Sequence, residues 1–307
     1  MRVFVTGATG ALGPYALTAL IAAGHQVTAL VNNPVKTPLV TVVGATPVNV
    51  SLFDPNALAL AFEGHDAVVN LASALPSTLR FNSNRAWKQC HRVRREGSRS
   101  VIDAALHAGV NRVIQESVAL IYPDCSDAWI DESVALEPYP AAEGNLAAES
   151  SAERLTASGG HGVVLRFGWF YGHGARHSEQ LLGLARHHIT PLFGRADGYV
   201  SSIHLADAGA AVVAALQVPA GRYNIVDDEP LTKRDFAAAL ADATNTTSWL
   251  RGPGRLALLR PGMPSIGLSR SLRVSNKAIR DTSPWIPQFP SARSGLIDMA
   301  STTTNTR

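Results

Sequence analysis

The chain has 307 residues, of which 46% are hydrophobic and 17% are charged, with a formal net charge of +3 at pH 7. This composition is typical of a folded globular protein with a sizeable core, and it excludes a mainly disordered chain. The basic residues are scattered and no run of about 18 apolar residues occurs, so we expect neither nucleic acid nor a membrane as a partner.

The two cysteines, Cys90 and Cys125, are too few for a disulfide framework and lack the spacing of metal ligands. The four histidines between residues 173 and 188 are not spaced with acidic residues as metal ligands are, so no metal is expected. Glycines interrupt the N-terminal segment at once, which predicts a first strand rather than a signal peptide. We therefore expect a cytoplasmic protein with reduced thiols.

Short Val-rich segments alternate with longer Ala- and Leu-rich segments in the first half of the chain. This order is typical of strand–helix–strand units that build a parallel sheet. It predicts an α/β protein with a doubly wound parallel sheet of the Rossmann type. The predicted strands are Val3 to Val5, Gln26 to Val31, Pro47 to Val50, Ala67 to Leu71, Arg112 to Glu116 and Gly162 to Arg166.

Helix signals lie between these strands. Asp54 followed by Pro55 predicts a helix start, with the aspartate as cap and the proline at the first helical position. Gly64 is the predicted stop of that helix. Residues 85–108 predict one long helix that ends at Gly109.

The regular alternation ends about halfway along the chain, which suggests a division into two parts. We expect a dinucleotide-binding domain over residues 1–167, to which residues 201–227 return. Separate segments, 168–200 and 228–290, are expected to form a smaller C-terminal substrate lobe. A tail follows over residues 291–307, and its end, STTTNTR, is predicted to be disordered because it has no apolar anchor.

The segment TGATGALG directly follows the first predicted strand and opens the first helix. Its glycines allow a tight turn, a close approach of the backbone to a pyrophosphate, and packing of the helix against the sheet. The free N–H groups and the dipole of that helix favour phosphate. A glycine triplet alone could form only a tight turn, but this order of strand, glycines and helix favours a dinucleotide site. The predicted pyrophosphate-binding residues are Gly7, Thr9, Gly10, Ala11, Leu12 and Gly13.

With this glycine spacing, the chain resembles the short-chain dehydrogenase/reductase superfamily, in its extended, epimerase/dehydratase-like branch. Further segments are similar to parts of that family: Asn70-Leu71-Ala72, GVNRVIQES, LRFGWFYG, IHLADAGAA and RVSNKAIRDTSPWIPQFP. The resemblance covers nearly the whole chain and implies an enzyme with an NAD(P) cofactor and a small-molecule substrate. It also implies cofactor contacts beyond the glycine loop, at Asn32, Leu52, Leu71, Ala72 and Phe167.

The end of the second strand bears on the choice between NAD and NADP. An acidic side chain there would accept hydrogen bonds from the adenosine ribose and repel a 2′-phosphate. The chain has Val31-Asn32-Asn33 at this point, with Lys36 nearby. We therefore expect a slight preference for NADP over NAD, while a solvated lysine without a phosphate partner remains the alternative. Relatives commonly place an aspartate against the adenine where this chain has Leu52.

Residues 139–149, YPAAEGNLAAE, correspond to the segment in which relatives carry Tyr and, four residues later, Lys. The lysine makes the tyrosine a usable proton donor for reduction of a carbonyl. One alignment places Ala141 at the tyrosine and Asn145 at the lysine. The other begins at Tyr139 and places Glu143 four residues later, where its charge would raise the pKa of the tyrosine. The pair is absent in both alignments.

The hydroxyl that normally shares the substrate's carbonyl oxygen is also altered. Val118 stands where relatives have Ser or Thr four residues before Tyr122, whereas Ser117 matches the preceding, more structural serine. The candidate catalytic residues are therefore Ser117 and Tyr139, with water as a further donor. Tyr122 is expected to pack in the core, and Arg166 to form a structural ion pair.

These observations leave three functions open. The first, which we favour, is an NAD(P)-dependent oxidoreductase or epimerase-like enzyme with an atypical active site, acting on a small carbonyl, alcohol or sugar-type substrate. The second is an NAD(P)-binding sensor or regulatory protein without redox turnover, and the third is a non-redox isomerase or cyclase. Relatives use the long helix over 85–108 to form dimers, but here it carries several basic residues. A monomer and a homodimer therefore both remain possible.

Overall fold

A computed structural model describes residues 1–77, 80–81, 83–137, 139–248, 253–254 and 265–304. The strands are β1 (Arg2–Thr6), β2 (Gln26–Leu30), β3 (Thr46–Val48), β4 (Ala67–Asn70), β5 (Arg112–Val118), β6 (Trp129–Ile130), β7 (His161–Phe167), β8 (Trp169–Tyr171), β9 (Leu192–Phe193), β10 (Tyr199–Val200), β11 (Ser202–His204), β12 (Gly221–Ile225), β13 (Leu231–Thr232), β14 (Pro253–Gly254) and β15 (Arg273–Val274). The helices are α1 (Gly13–Ala22), α2 (Thr37–Thr41), α3 (Pro55–Phe62), α4 (Asn84–Arg92), α5 (Ser98–Ala108), α6 (Glu143–Ala157), α7 (Arg176–Arg186), α8 (Leu205–Ala214), α9 (Lys233–Ala243), α10 (Ser265–Ser269), α11 (Lys277–Thr282) and α12 (Ala292–Thr304).

Within the described part of the chain, seven strands form one parallel sheet in the order β12-β7-β5-β4-β1-β2-β3. Successive residues of a strand point to opposite faces, so Val3 and Val5 join one hydrophobic cluster and Phe4 joins another. Helices α1 and α8 cover the first face, and α3 and α5 cover the second. The predicted Rossmann-type, doubly wound sheet is confirmed.

The strand predictions agree with the sheet to within a few residues. The largest differences are at β3, which ends at Val48 rather than Val50, and at β5, which continues to Val118. β3 ends early because the side-chain amide of Asn49 donates to the carbonyl of Val31 at 2.6 Å. β5 is longer because its last residues, through Val118, still pair with β7.

The predicted helix signals are also present. Asp54 caps α3 by accepting hydrogen bonds from the backbone N–H groups of Asn56 and Ala57, at 3.0 and 3.1 Å. Gly64 follows that helix with φ +70°, and Gly109 ends α5 with φ +71°. The long helix is not regular, because a π-helical turn at Val93–Gly97 separates α4 from α5.

The C-terminal segment is tied to the sheet through α8. The carboxylate of Asp207 accepts hydrogen bonds from the backbone N–H groups of Gln288 and Phe289, at 2.7 and 3.0 Å. Trp285 Nε1 donates to the carbonyl of Asp207, and His204 Nδ1 accepts from Ala206 N at the start of α8. β12 returns to the edge of the sheet beside β7. The boundaries between a cofactor domain and a substrate lobe remain a prediction.

The predicted disordered end is wrong for residues 301–304, which continue α12. The reason lies just upstream, where Leu296 and Met299 are buried in the cluster that contains Leu240 of α9. Residues 305–307 of the predicted tail lie outside the described residues. Among the helices of the described chain, none combines the length and the apolar character needed to cross a bilayer.

Four arginines of the long helix have acidic partners. Arg92 and Arg99 pair with acids one turn further on, and the others pair across to β5 and α6. The pairs are Arg92–Glu96, Arg94–Glu116, Arg95–Glu143 and Arg99–Asp103. This neutralisation weakens the charge argument against a symmetric contact, so a monomer and a homodimer both remain predictions.

Candidate active site

The glycine loop joins β1 to α1 with little room for side chains. Gly7 has φ +69°, and a Cβ atom there would lie 2.3 Å from the carbonyl oxygen of Leu71. A Cβ atom at Gly13 would lie 2.2 Å from the carbonyl oxygen of Ala8. At Gly10, by contrast, the nearest atom to a Cβ would be the carbonyl oxygen of Gly7, at 3.3 Å. The loop is therefore packed against the segment after β4 at Gly7 and against its own backbone at Gly13, and it is open outwards at Gly10.

An open cleft of about 550 Å³ lies in front of this loop. On its far side is the segment after β8, held to α1 by a 2.9 Å hydrogen bond from the Tyr15 hydroxyl to the carbonyl of His173. Arg176, an exposed residue, also lines the cleft and adds a positive charge near the N-terminus of α1. The lining residues are Thr9, Gly10, Ala11, Pro14, Tyr15, His173, Gly174 and Arg176. An open backbone loop, a helix N-terminus and an arginine fit a nucleotide diphosphate.

The sequence did not predict the far wall of the cleft. Tyr15, His173, Gly174 and Arg176 were not among the candidate residues, and the last three lie just beyond LRFGWFYG, the segment that resembles the family. Arg176 lies far from the glycine loop along the chain, and no local pattern relates the two. In the described chain, no group of three or more His, Cys, Asp or Glu side chains could hold a metal ion.

The predicted adenosine contacts lie at the ends of the neighbouring strands. Asn32, after β2, is exposed, and so is Lys36. Asn33 is used locally, since its side chain accepts a hydrogen bond from Val35 N at 3.1 Å. Leu52, after β3, is half-buried against Gly97, where a Cβ atom would come within 2.7 Å of Leu52 Cδ2.

The predicted contacts at the nicotinamide end lie next to the glycine loop. Leu71 and Ala72 are buried directly beside Gly7. Asn70 holds this corner together by accepting from Thr6 Oγ1 at 2.5 Å and donating to Gln115 Oε1 at 2.7 Å. Further along the sheet edge, the buried Phe167 ends β7 and packs against Phe170 with ring centroids 5.2 Å apart.

The catalytic stretch forms a short 3-10 turn and the start of α6. Ala141 and Asn145 are both buried, at 8% and 3% exposure, so these two positions face the protein interior. Tyr139 lies before the helix, with its hydroxyl against Gly267 and its ring 5.2 Å from the guanidinium carbon of Arg270. Burial raises the pKa of Tyr139 to about 12, although the charge of Arg270 opposes the shift.

Ser117 belongs to a buried network behind the sheet edge. Its hydroxyl donates to Glu149 Oε1 at 2.6 Å. Arg166 forms a bidentate pair with the same carboxylate, at 3.0 and 2.6 Å, and donates to the hydroxyl of Tyr122 at 2.8 Å. Tyr122 in turn donates to Asn224 Oδ1 at 2.9 Å. The predicted ion pair of Arg166 and the predicted core packing of Tyr122 are confirmed.

A second buried ion pair lies next to Gly144, at the start of α6. Arg94, from the π-helical turn, contacts Glu116 of β5 at 2.8 Å, and both side chains are at most 7% exposed. Burial by itself lowers the pKa of Arg94, but the Glu116 carboxylate more than offsets this and holds that pKa above its ordinary value. Arg94 is therefore a fixed cation, on a different helix from the position at which relatives carry their lysine.

Comparison with known proteins gives consistent results. A family model described as NAD(P)H-binding matches residues 7–219. The chain is 32% identical to a 3-diazoavenalumate denitrifying reductase of a Streptomyces species, over 96% of this chain and 99% of that protein. It is 30% identical to a 4-hydroxy-2-methyl-3-oxo-4-farnesyl-3,4-dihydroquinoline-1-oxide ketoreductase of Stigmatella aurantiaca, over 79% of this chain and 73% of that protein.

Solved structures share the fold at lower identity. Human epimerase family protein SDR39U1, solved with NADPH, superposes with a TM-score of 0.84 at 22% identity, over 98% of this chain and 99% of that one. A UDP-glucose 4-epimerase of Thermus thermophilus, solved with NAD, superposes with a TM-score of 0.79 at 21% identity, over 100% of both chains. At these identities the similarity shows the fold.

Proposed function

The chain belongs to the NAD(P)H-binding family of extended short-chain dehydrogenase/reductases, and from that premise we propose that it is an NAD(P)H-dependent reductase of a small molecule that needs no Tyr–Lys proton donor. The observation that carries this proposal is the buried start of α6, which presents Ala141 and Asn145 to the interior. The slight preference for NADP, argued from Asn32 and Lys36, is part of the proposal.

The acceptor that we favour is an aromatic carbon atom bearing a diazonium group. When bound, NAD(P)H supplies a hydride. A carbonyl then needs a proton on its oxygen, whereas an aryl diazonium carbon that gains hydride loses dinitrogen and needs no proton. In this chain Ala141 and Asn145 stand at the positions of the family's tyrosine and lysine. This arrangement suits reduction of a diazonium carbon, which needs no proton donor. The similarity to a protein named as a denitrifying reductase, which extends over nearly the full length of both chains, supports the same choice.

The residues of this chain supply binding and exclusion of water. We propose that the glycine loop and Arg176 hold the diphosphate, and that Leu71, Ala72 and Phe167 form the apolar floor beside the nicotinamide. An apolar floor protects a reactive diazonium carbon from hydrolysis. Ser117 is a weak candidate donor, since its proton already bonds to Glu149.

A second candidate function is reduction of a ketone, which the similarity to a protein named as a ketoreductase favours. The proton would then come from Tyr139, Ser117 or water. With its pKa raised to about 12, Tyr139 is a weaker acid than an ordinary tyrosine. We therefore rank this reaction below diazo reduction.

The test is turnover with a panel of aryl diazonium salts, aldehydes and ketones, using NADPH or NADH deuterated at the transferred position. Diazo reduction predicts dinitrogen release and an arene that carries the cofactor's deuterium, with no solvent deuterium incorporated in heavy water. Tyr139→Phe and Ser117→Ala should leave this rate unchanged. Ketone reduction that Tyr139→Phe or Ser117→Ala abolishes would establish the second candidate instead. Cofactor binding without turnover across the panel would contradict both and favour a sensor.

A further inference from the structure

Arg94 is buried although its neighbours on the long helix are exposed. The side chains of Arg92 and Arg95 are 51% and 60% exposed, whereas that of Arg94 is 3% exposed. Arg94 falls within the π-helical turn at Val93–Gly97, and such turns are frequent at functional sites. Gly144 lets α6 approach this turn closely, because a Cβ atom there would lie 3.2 Å from Arg94 Cβ.

Unpaired polar atoms collect at the junction of this turn, β5 and α6. Buried polar atoms are normally hydrogen-bonded, so a group of exceptions indicates a missing polar partner. A Cβ atom at Gly144 would also lie 3.2 Å from His91 Nδ1, which is one of these unpaired atoms. Of the eleven buried side-chain atoms without a hydrogen-bond partner among the described residues, four belong to this junction: His91 Nδ1, Arg94 Nε, Glu116 Oε2 and Asn145 Nδ2.

The junction lies where a ligand of this fold is expected. Glu116 precedes Ser117 and Val118 at the carboxyl end of β5, and open parallel sheets bind their ligands beyond the carboxyl ends of the strands. Asn145 stands one residue after Gly144, on the part of α6 that packs against β5 and the π-helical turn. These groups therefore border the site proposed for the substrate.

The chemistry of the free atoms selects the ligand group. Arg94 Nε and Asn145 Nδ2 can only donate. Burial raises the pKa of Glu116, but its 2.8 Å contact with the guanidinium of Arg94 favours the carboxylate, whose free oxygen can only accept. A carboxylate would be repelled by Glu116, and an ammonium group would be repelled by Arg94. A hydroxyl group accepts and donates at the same oxygen and carries no charge. It can therefore satisfy both kinds of atom without disturbing the 2.8 Å pair of Arg94 and Glu116.

We propose that Arg94, Asn145 and Glu116 bind an uncharged hydroxyl group of the substrate, such as a phenol hydroxyl on an aromatic ring. Arg94 and Asn145 donate to its oxygen, and the hydroxyl donates to the free oxygen of Glu116. His91 borders the same place, where burial lowers its pKa and leaves a neutral ring that can donate or accept. This inference rests on the proposed function, since it places the substrate of that reaction.

The experiment compares binding of 4-ethylphenol and 4-ethylanisole to the protein saturated with NADP⁺, by calorimetric or NMR titration at neutral pH. The two ligands differ in that the anisole cannot donate a hydrogen bond. The wild-type protein should bind the phenol about tenfold more tightly. Asn145→Ala removes one donor to the ligand oxygen and should weaken binding of both ligands about fivefold, with an unchanged melting temperature. The control Ser150→Ala, on the exposed face of α6, should change neither affinity.

Glu116→Gln gives the sharper result, because glutamine keeps an oxygen for Arg94 but turns an N–H group towards the ligand. The phenol should then lose its advantage, and the anisole should bind as well or better. Equal binding of the two ligands to the wild type, or an equal change for both in Glu116→Gln, would overturn the proposal. Because no turnover is measured, a failure of diazo reduction would refute the reaction and leave this comparison to decide the hydroxyl site.

Discussion

Gly10→Ala separates the proposed cofactor site from the stability of the fold. A Cβ atom at Gly10 would meet the carbonyl oxygen of Gly7 at 3.3 Å and otherwise project into the cleft. The backbone at Gly10 does not have a positive φ, so alanine is not strained there. The small steric cost is offset by the lower entropy of the unfolded chain. We expect the free energy of unfolding to change by less than about 1 kcal/mol.

The effect of Gly10→Ala on the affinity for the cofactor should be much larger than its effect on stability. The methyl group would occupy the space through which backbone N–H groups reach the pyrophosphate, and a hydrogen bond to a charged partner contributes about 1.5–3 kcal/mol. Loss of one such bond corresponds to a rise of about 10- to 100-fold in the Kd for NADPH. The assay is calorimetric titration of each variant with NADPH, together with urea unfolding of the same preparation.

Two other glycines provide the controls. A methyl group added at Gly183, within α7, would have no neighbouring atom within 4 Å, so Gly183→Ala should leave the Kd unchanged and raise stability by about 0.5–1 kcal/mol. Gly7→Ala combines φ +69° with a 2.3 Å clash and should cost at least about 2 kcal/mol of stability. A Gly10→Ala protein that binds NADPH as tightly as the wild type would refute the placement of the diphosphate.

Three further predictions concern cofactor choice, pH and the buried network. Asn32→Asp should raise the Kd for NADPH relative to NADH by about tenfold in fluorescence titrations, because the new carboxylate repels a 2′-phosphate; an unchanged ratio would remove Asn32 from the site. Burial lowers the pKa of His204 from 6.5 to about 4, so the unfolded chain takes up the proton first as the pH falls. Stability should therefore decrease between pH 6.5 and about 4, by about 3 kcal/mol, and His204→Asn, which can still cap α8, should flatten this part of the urea-unfolding profile. Glu149→Gln should cost about 3–5 kcal/mol of unfolding free energy, because it leaves the charge of Arg166 buried, whereas Glu153→Gln, in a half-exposed pair one turn later, should cost less than about 1 kcal/mol.

Local patterns in the sequence were sufficient for the glycine loop and for six of the seven strands of the sheet, and the edge strand β12 was not among the predicted strands. Val3 and Val5 lie in a different hydrophobic cluster from Phe4, because successive residues of a strand face opposite layers. Asp54 caps α3 because its side chain can reach the backbone N–H groups that directly follow it. The π-helical turn at Val93–Gly97 was not predicted, since its residues continue the helical pattern on both sides. Its last residue, Gly97, packs against Leu52, where a Cβ atom would come within 2.7 Å of Leu52 Cδ2, and this contact joins distant segments.

The sequence by itself determined the α/β order of the first half of the chain and the glycine loop, because each depends on residue types at fixed, short spacing. Tertiary structure alone decided that Arg176 faces the glycine loop and that Arg94 pairs with Glu116 beside Asn145. Those contacts join residues that are far apart in the chain. The interaction energy of a charge or of an unpaired amide depends on how deeply its side chain is buried, and that burial is set only when the helices pack.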